Sequence, residues 1–373
     1  MIKSKKLLAL GFVAALGFTA AACGSDDDDS ATTDAPAGTE AASTESTPPA
    51  DSEAPAGSDA PAGECDAAIG VVYDITGRGD KSFNDAAGSA LDKAVTDLGV
   101  TASESTPTGD GDRAERVTGS VDEGNDLVVG VGFLFGDSIT AASAAAPDTN
   151  FAIVDSVVEA DNVASLVFAE EQGSFLVGAA AALKSQTGTI GFIGGVENEL
   201  IQKFEAGYAA GAKAVNPDIE VLSNYISQPP DFTGFNDPAK GKELAAGQYE
   251  AGADVIYSAA GGSGLGAFEA AAAAGEPGEV WAIGVDSDQY NLVSAELQPY
   301  ILTSMLKKVD VAVYDTIEAI CNGEFAGGVQ AFDLAADGVG YSTTGGFVDD
   351  ITDQLDAFKE QIVSGEITVP TAP

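Results

Sequence analysis

Three apolar runs end in a carboxylate: Val71-Val72-Tyr73-Asp74, Ala152-Ile153-Val154-Asp155 and Ile283-Gly284-Val285-Asp286. An acid at the carboxyl end of a buried parallel strand stands at the ligand-facing edge of its sheet. Carboxylates accept paired hydrogen bonds, which suits sugar hydroxyls or the N–H edge of a base. Phe83 and Phe235 lie where a loop turns into a helix, and a large ring there either packs or stacks. A flat ligand ring held between two phenyl groups gains about 1 kcal/mol or more per stack. Ser82 and Asn84 flank the first ring, and Ser82 or Asp80 is placed to cap the helix that follows. The pair Lys307-Lys308 is conspicuous in a chain poor in lysine. One of the two can balance the acids or reach a ligand hydroxyl. Gly262, Gly264 and Ala267 match the dinucleotide-binding spacing, with Asp286 about 20 residues later. That spacing makes a nicotinamide-dependent enzyme the rival reading. The motif comes late in the chain, and the same loop equally offers bare backbone N–H groups to a ligand hydroxyl.

Composition removes other chemistries. The chain of 373 residues has no histidine, so it holds no Ser-His-Asp triad, no Cys-His dyad and no imidazole metal ligand. Three cysteines cannot build a four-thiolate zinc site. A formal charge of -43 repels phosphate backbones and excludes nucleic acid as a natural partner.

Residues 1–22 read as an export signal: Lys3, Lys5 and Lys6, then an apolar run too short for a membrane span, then Ala20-Ala21-Ala22 before Cys23. That ending resembles the lipobox of bacterial lipoproteins, with Cys23 the lipidated residue. Residues 23–64 then form an acidic tether. After Cys23 the tether uses only Gly, Ala, Pro, Ser, Thr, Asp and Glu, so it buries nothing that offsets ordering entropy. A lipid on a leash holds a domain at an extracytoplasmic membrane face. In an exported protein the two remaining cysteines, Cys65 and Cys321, are expected to pair.

From residue 65 onward short apolar runs alternate with helical patterns. Strands are expected at 67–73, 127–131, 151–154, 163–168, 189–193, 220–225, 255–258 and 280–285. Helices are expected between them, the last over 303–320. This is the signature of βαβ units and parallel sheets. The pattern restarts near Glu170, giving an α/β fold of two doubly wound lobes joined by a hinge. Lobe one is expected over 65–168 plus about 300–322, and lobe two over 169–299 plus about 323–373.

Six ordered runs carry a resemblance: 79–84 (GDKSFN), 151–155 (FAIVD), 234–241 (GFNDPAKG), 252–257 (GADVIY), 284–289 (GVDSDQ) and 303–310 (TSMLKKVD). Together they resemble the basic membrane protein family of substrate-binding lipoproteins, which includes the purine nucleoside receptor A type. The resemblance implies a type I periplasmic-binding-protein fold, an ABC importer permease as partner, a monomer, no cofactor and no catalysis. It implies a nucleoside stacked between Phe83 and Phe235, with Phe232 the alternative second ring. Asp155 would read the base with Ser82 or Asn84 beside it. Asp74, Asp286, Lys307 and the backbone near Gly262 would hold the ribose. The turn 76–79 departs from the family pattern, and Arg78 there is a candidate for altering ligand preference. A sugar or riboflavin-like ligand on the same fold, and a surface adhesin, are the other readings.

Overall fold

A computed structural model describes residues 65–373; the export signal, Cys23 and the tether lie outside the described residues. In chain order the elements begin β1 (Ala68–Val72), α1 (Phe83–Leu98), β2 (Thr101–Ser105), α2 (Arg113–Asp122), β3 (Leu127–Val131), α3 (Gly136–Ala145), β4 (Asn150–Val154) and β5 (Val163–Phe168). There follow α4 (Glu170–Lys184), β6 (Thr189–Val196), α5 (Glu199–Val215), β7 (Glu220–Ser227), α6 (Pro238–Glu250), β8 (Val255–Ala259), α7 (Leu265–Ala274) and β9 (Trp281–Asp286). The chain ends with β10 (Ile301–Lys307), α8 (Val309–Asn322), β11 (Gly328–Phe332), β12 (Val339–Tyr341) and α9 (Thr352–Val363).

The strands form two six-stranded sheets of matching order, β2-β1-β3-β4-β5-β11 and β7-β6-β8-β9-β10-β12. Every pairing is parallel except that of β12 with β10. Central strands such as β3 and β9 are buried along their whole length, as sheets covered on both faces require. The outer strand β2 is polar and half exposed. Because the strands run parallel, their carboxyl ends gather at one edge of each sheet, beside the switch points β1/β3 and β6/β8.

Helices α4 and α5 meet backbone to backbone. A Cβ on Gly211 would stand 1.9 Å from the Phe175 carbonyl oxygen, and one on Gly207 would stand 2.1 Å from that of Glu171. Only glycine permits that approach, and it seats α5 so that Leu200, Ile201 and Phe204 reach the cleft.

The chain passes between the lobes three times, at 168–170, 307–309 and 332–339. The crossovers are tied together: Ala169 N donates to Phe332 O at 3.0 Å, Lys308 N to Gly338 O at 2.9 Å, and Leu334 N to Gln172 Oε1 at 3.0 Å. These crossings correct the expected boundaries. Residues 301–307 belong to the second sheet, not to lobe one, and 328–332 belong to the first sheet, not to lobe two. The expected helix 303–320 is in fact β10 followed by α8. Leu302, Met305, Leu306 and Val309 have helical spacing, but the strand runs under α4 and packs apolar side chains on both faces. Helix α8 lies against α1, and the Cys65–Cys321 disulfide, with Cα atoms 5.4 Å apart, fastens its end to the start of lobe one.

Candidate ligand-binding site

A cleft lies where the strand ends of the two lobes face each other. Lobe one lines it with Asp74, Thr76, Phe83, Asn84, Phe133 and Asp155, and lobe two with Leu200, Phe204, Phe235, Gly261, Asp286 and Lys307.

The loop after β1 is organised by one carboxylate. Asp80 accepts from Ser82 N (3.0 Å) and Asp85 N (3.1 Å) on one oxygen, and from Asn84 N (2.9 Å) and Nδ2 (3.1 Å) on the other. It therefore satisfies orphan donors that open α1, while Ser82 occupies the cap position, its carbonyl accepting from Ala86 N at 3.1 Å but its side chain making no capping bond. Burial pushes the Asp80 carboxyl up, against the lowering effect of those backbone donors. The loop presents Phe83 and Asn84 to the cleft. Asn84 Oδ1 accepts from Asp74 N at 3.1 Å and so holds the first strand-end acid. Asp74 Oδ1 accepts from Ile75 N and, at 3.2 Å, from the buried Arg113. Among the described residues no hydrogen bond ends on Asp74 Oδ2. That oxygen and the Phe83 ring edge each lie 3.7 Å from where a Cβ on Gly132 would stand.

The other acids share one cation. Lys307 Nζ lies 2.6 and 2.7 Å from the two oxygens of Asp155 and 3.2 Å from Glu170. Lys203, on α5, reaches the far oxygen of Glu170 at 3.2 Å. The rings of Phe83, Phe168 and Phe204 surround the same ammonium, with centroids 5.2, 5.0 and 5.6 Å away. Burial disfavours the charged form of Lys307, but Asp155, Glu170 and Asp286 outweigh it and hold the ammonium protonated. One ammonium cannot satisfy three carboxylates. Burial, with help from neighbouring acids, pushes both Asp155 and Asp286 up to about 6 despite Lys307. Both aspartates also hold left-handed backbone, φ 67° and 63°, which turns their side chains off the strand ends into the cleft.

The structure brings Asp74, Phe83, Asn84, Asp155, Phe235, Asp286 and Lys307 to one cavity. Of the alternatives, Phe235 lines the cleft while Phe232 packs edge-on against Phe133, centroids 6.1 Å apart. Lys307 is buried in the site and Lys308 caps α8. Two expected residues stand elsewhere. Ser82 is fully buried, and its hydroxyl donates to Asp286 Oδ2 at 2.6 Å instead of facing the cavity. Gly262 is not in the lining although its neighbour Gly261 is, and a Cβ on Gly262 would stand 3.4 Å from Phe235 O and 3.6 Å from the Asp80 and Thr76 side chains. Arg78 points away from the cleft, to Asp92 at 2.7 Å and Glu104 at 2.6 Å. Among the residues that sequence reasoning missed are Thr76, Phe133, Arg113, Glu170, Leu200, Ile201 and Phe204. Glu170 opens a helix, where an acid is ordinary, and nothing in its spacing marks it as the partner of a lysine 137 positions later.

Residues 68–372 match the family described as ABC transporter substrate-binding protein PnrA-like. The chain belongs to that family. A CD4+ T-cell-stimulating antigen of Listeria monocytogenes is 34% identical over 391 aligned positions, covering 100% of both chains. The ABC transporter nucleoside-binding protein BmpA of Lactococcus lactis is 35% identical, over 82% of this chain and 90% of its own. An ABC transporter solute-binding protein of Aeropyrum pernix superimposes with a TM-score of 0.72 at 29% identity, covering 82% of this chain and 93% of its own. The two lobes are thus those of a type I periplasmic binding protein, and the chain is a substrate-binding protein of ABC-transporter type. Among the described residues no helix is long and apolar enough to cross a membrane.

Proposed function

We propose that the protein captures a purine nucleoside between its lobes and delivers it to an ABC importer permease. One observation carries the reading: Phe83 and Phe235, one from each lobe, line the same cleft as four polar anchors, Asp74, Asp155, Asp286 and Lys307. Flat apolar walls with convergent acceptors suit a base joined to a sugar. The name of the Lactococcus lactis relative supports the same ligand class.

The geometry favours a division of roles other than the expected one. Asp155 is paired with Lys307, which hydrogen-bonds its Oδ2 and lies 2.6 Å from its Oδ1, whereas among the described residues no hydrogen bond ends on Asp74 Oδ2. We assign the base edge to Asp74, steadied by Asn84, and the ribose hydroxyls to Asp155, Asp286 and Lys307. The ligand closes the lobes by bonding to both, which is binding rather than catalysis. Export and lipidation at Cys23 would keep the protein on the extracytoplasmic face, with the tether of 23–64 setting its reach; this part rests on the sequence alone.

A thermal-shift panel tests the ligand. Inosine, guanosine or adenosine should raise the melting temperature by mass action, and Asp74→Ala should abolish the shift. A shift from ribose or riboflavin, with silence from every nucleoside, would keep the fold and overturn the ligand.

A further inference from the structure

The lobes also touch each other directly at the edge of the ligand cleft, partly through Val285 and Asp286, which line it. Four hydrogen-bond contacts join residues 81 and 82 of lobe one to residues 285 to 289 of lobe two. Ser82 Oγ lies 2.6 Å from Asp286 Oδ2 and 3.1 Å from Val285 O, and its single proton serves the nearer. Ser287 Oγ donates to Ser82 O at 2.9 Å, and Gln289 Nε2 donates to Lys81 O at 2.9 Å.

The donors are built for this contact. Gln289 is fully buried; its Oε1 accepts from Val285 N at 2.9 Å, which fixes the amide, and its own N–H bonds Ser304 Oγ at 3.2 Å. Lobe two therefore holds the Gln289 amide rigid, with Nε2 aimed outward. On the other side Lys81 takes a left-handed backbone, φ 55°, a costly conformation for lysine that turns its carbonyl toward that amide. Neither Ser287 nor Gln289 lines the cleft.

We infer that Ser82, Ser287 and Gln289 form a clasp between the lobes that sets affinity for whatever ligand fills the cleft, without selecting which. The clasp forms only when the lobes approach, so it favours the closed state equally for every ligand. The residues are positioning residues, because they act through closure and not through ligand contact. The inference rests on the capture reading only for the choice of probes.

The test uses the full chain with two substitutions, Ser287→Ala, which removes one donor from a half-buried site, and Gln289→Met, which keeps the length but not the amide. Affinities for inosine, guanosine and adenosine should each fall by a similar factor, about 3- to 10-fold per lost bond, with their ranking unchanged. In the ligand-free chain, amide hydrogen exchange over residues 79–84 should quicken in both variants. If no nucleoside binds the unsubstituted chain, the ligand reading fails while the exchange measurement still decides the clasp. Unchanged exchange and unchanged affinities in Ser287→Ala would overturn the clasp. So would a loss confined to one nucleoside, which would mark Ser287 as a ligand contact.

Discussion

Lys307 decides the electrostatics of the cleft, and its removal has a signed pH dependence. It is buried with Asp155 and Glu170 in contact and Asp286 near enough to raise its pKa. Lys307→Met would leave Asp155 and Asp286 without their cation and Glu170 with Lys203 alone, and stripping one partner from a buried charge cluster costs about 3–5 kcal/mol. Urea denaturation at pH 7.5 should show that loss, and it should shrink at pH 5, where the acids can protonate. A loss as large at pH 5 as at pH 7.5 would assign Lys307 a packing role instead. In the unsubstituted chain Asp155 and Asp286 have folded pKa values of about 6, above the ordinary aspartate value of about 3.9. Between those values the folded state holds protons that the unfolded state has released, so these two groups favour folding less as pH rises from 4 to 6. Nucleoside binding should run the other way, since hydroxyl donors need ionised acceptors. Affinity measured by calorimetry should fall as pH drops from 7.5 to 5, with protons released on binding near pH 6. Residue types were legible at this scale, because strand-end acids and loop rings carry recognisable chemistry. Their partners were not: Asp80 takes the capping bonds and frees Ser82 for the other lobe, a choice that only the assembled loop reveals.

At the scale of elements, the α4–α5 contact tolerates no side chain. Gly211→Ala would drive a methyl group to 1.9 Å from the Phe175 carbonyl oxygen, so one helix must shift. Overpacking of this kind costs about 1–3 kcal/mol. Because α5 carries Leu200, Ile201 and Phe204 to the cleft, the shift should also weaken ligand binding. Denaturation and calorimetry on the one variant read both effects, and a neutral result in both would show that the helices slide freely. Strands such as β4 and β9 were legible as apolar runs between turn residues. β2 was not, since Thr101-Ala102-Ser103-Glu104-Ser105 has no apolar run and gains its place by pairing with β1. The apolar spacing of β10 fits 3.6 residues per turn as well as it fits a strand covered on both faces, so the sequence pattern predicts a helix there.

At the scale of the whole molecule, the two-lobed plan follows from a repeated strand–helix rhythm, but the three crossovers do not. Which sheet receives 301–307 or 328–332 depends on edges formed far away in sequence, and no local pattern encodes it. The crossovers bring Glu170 and Lys307 together, so the hinge region and the charged end of the site share the same residues. The central claim is that a purine nucleoside fills the cleft between Phe83 and Phe235. Its most direct test is a calorimetric titration of the full chain with inosine at pH 7.5, repeated with Phe83→Ala. The account predicts one ligand per chain and a loss of about 5- to 100-fold in affinity on removing the ring. Absence of binding by inosine and by the other purine nucleosides, or binding indifferent to Phe83, would contradict it.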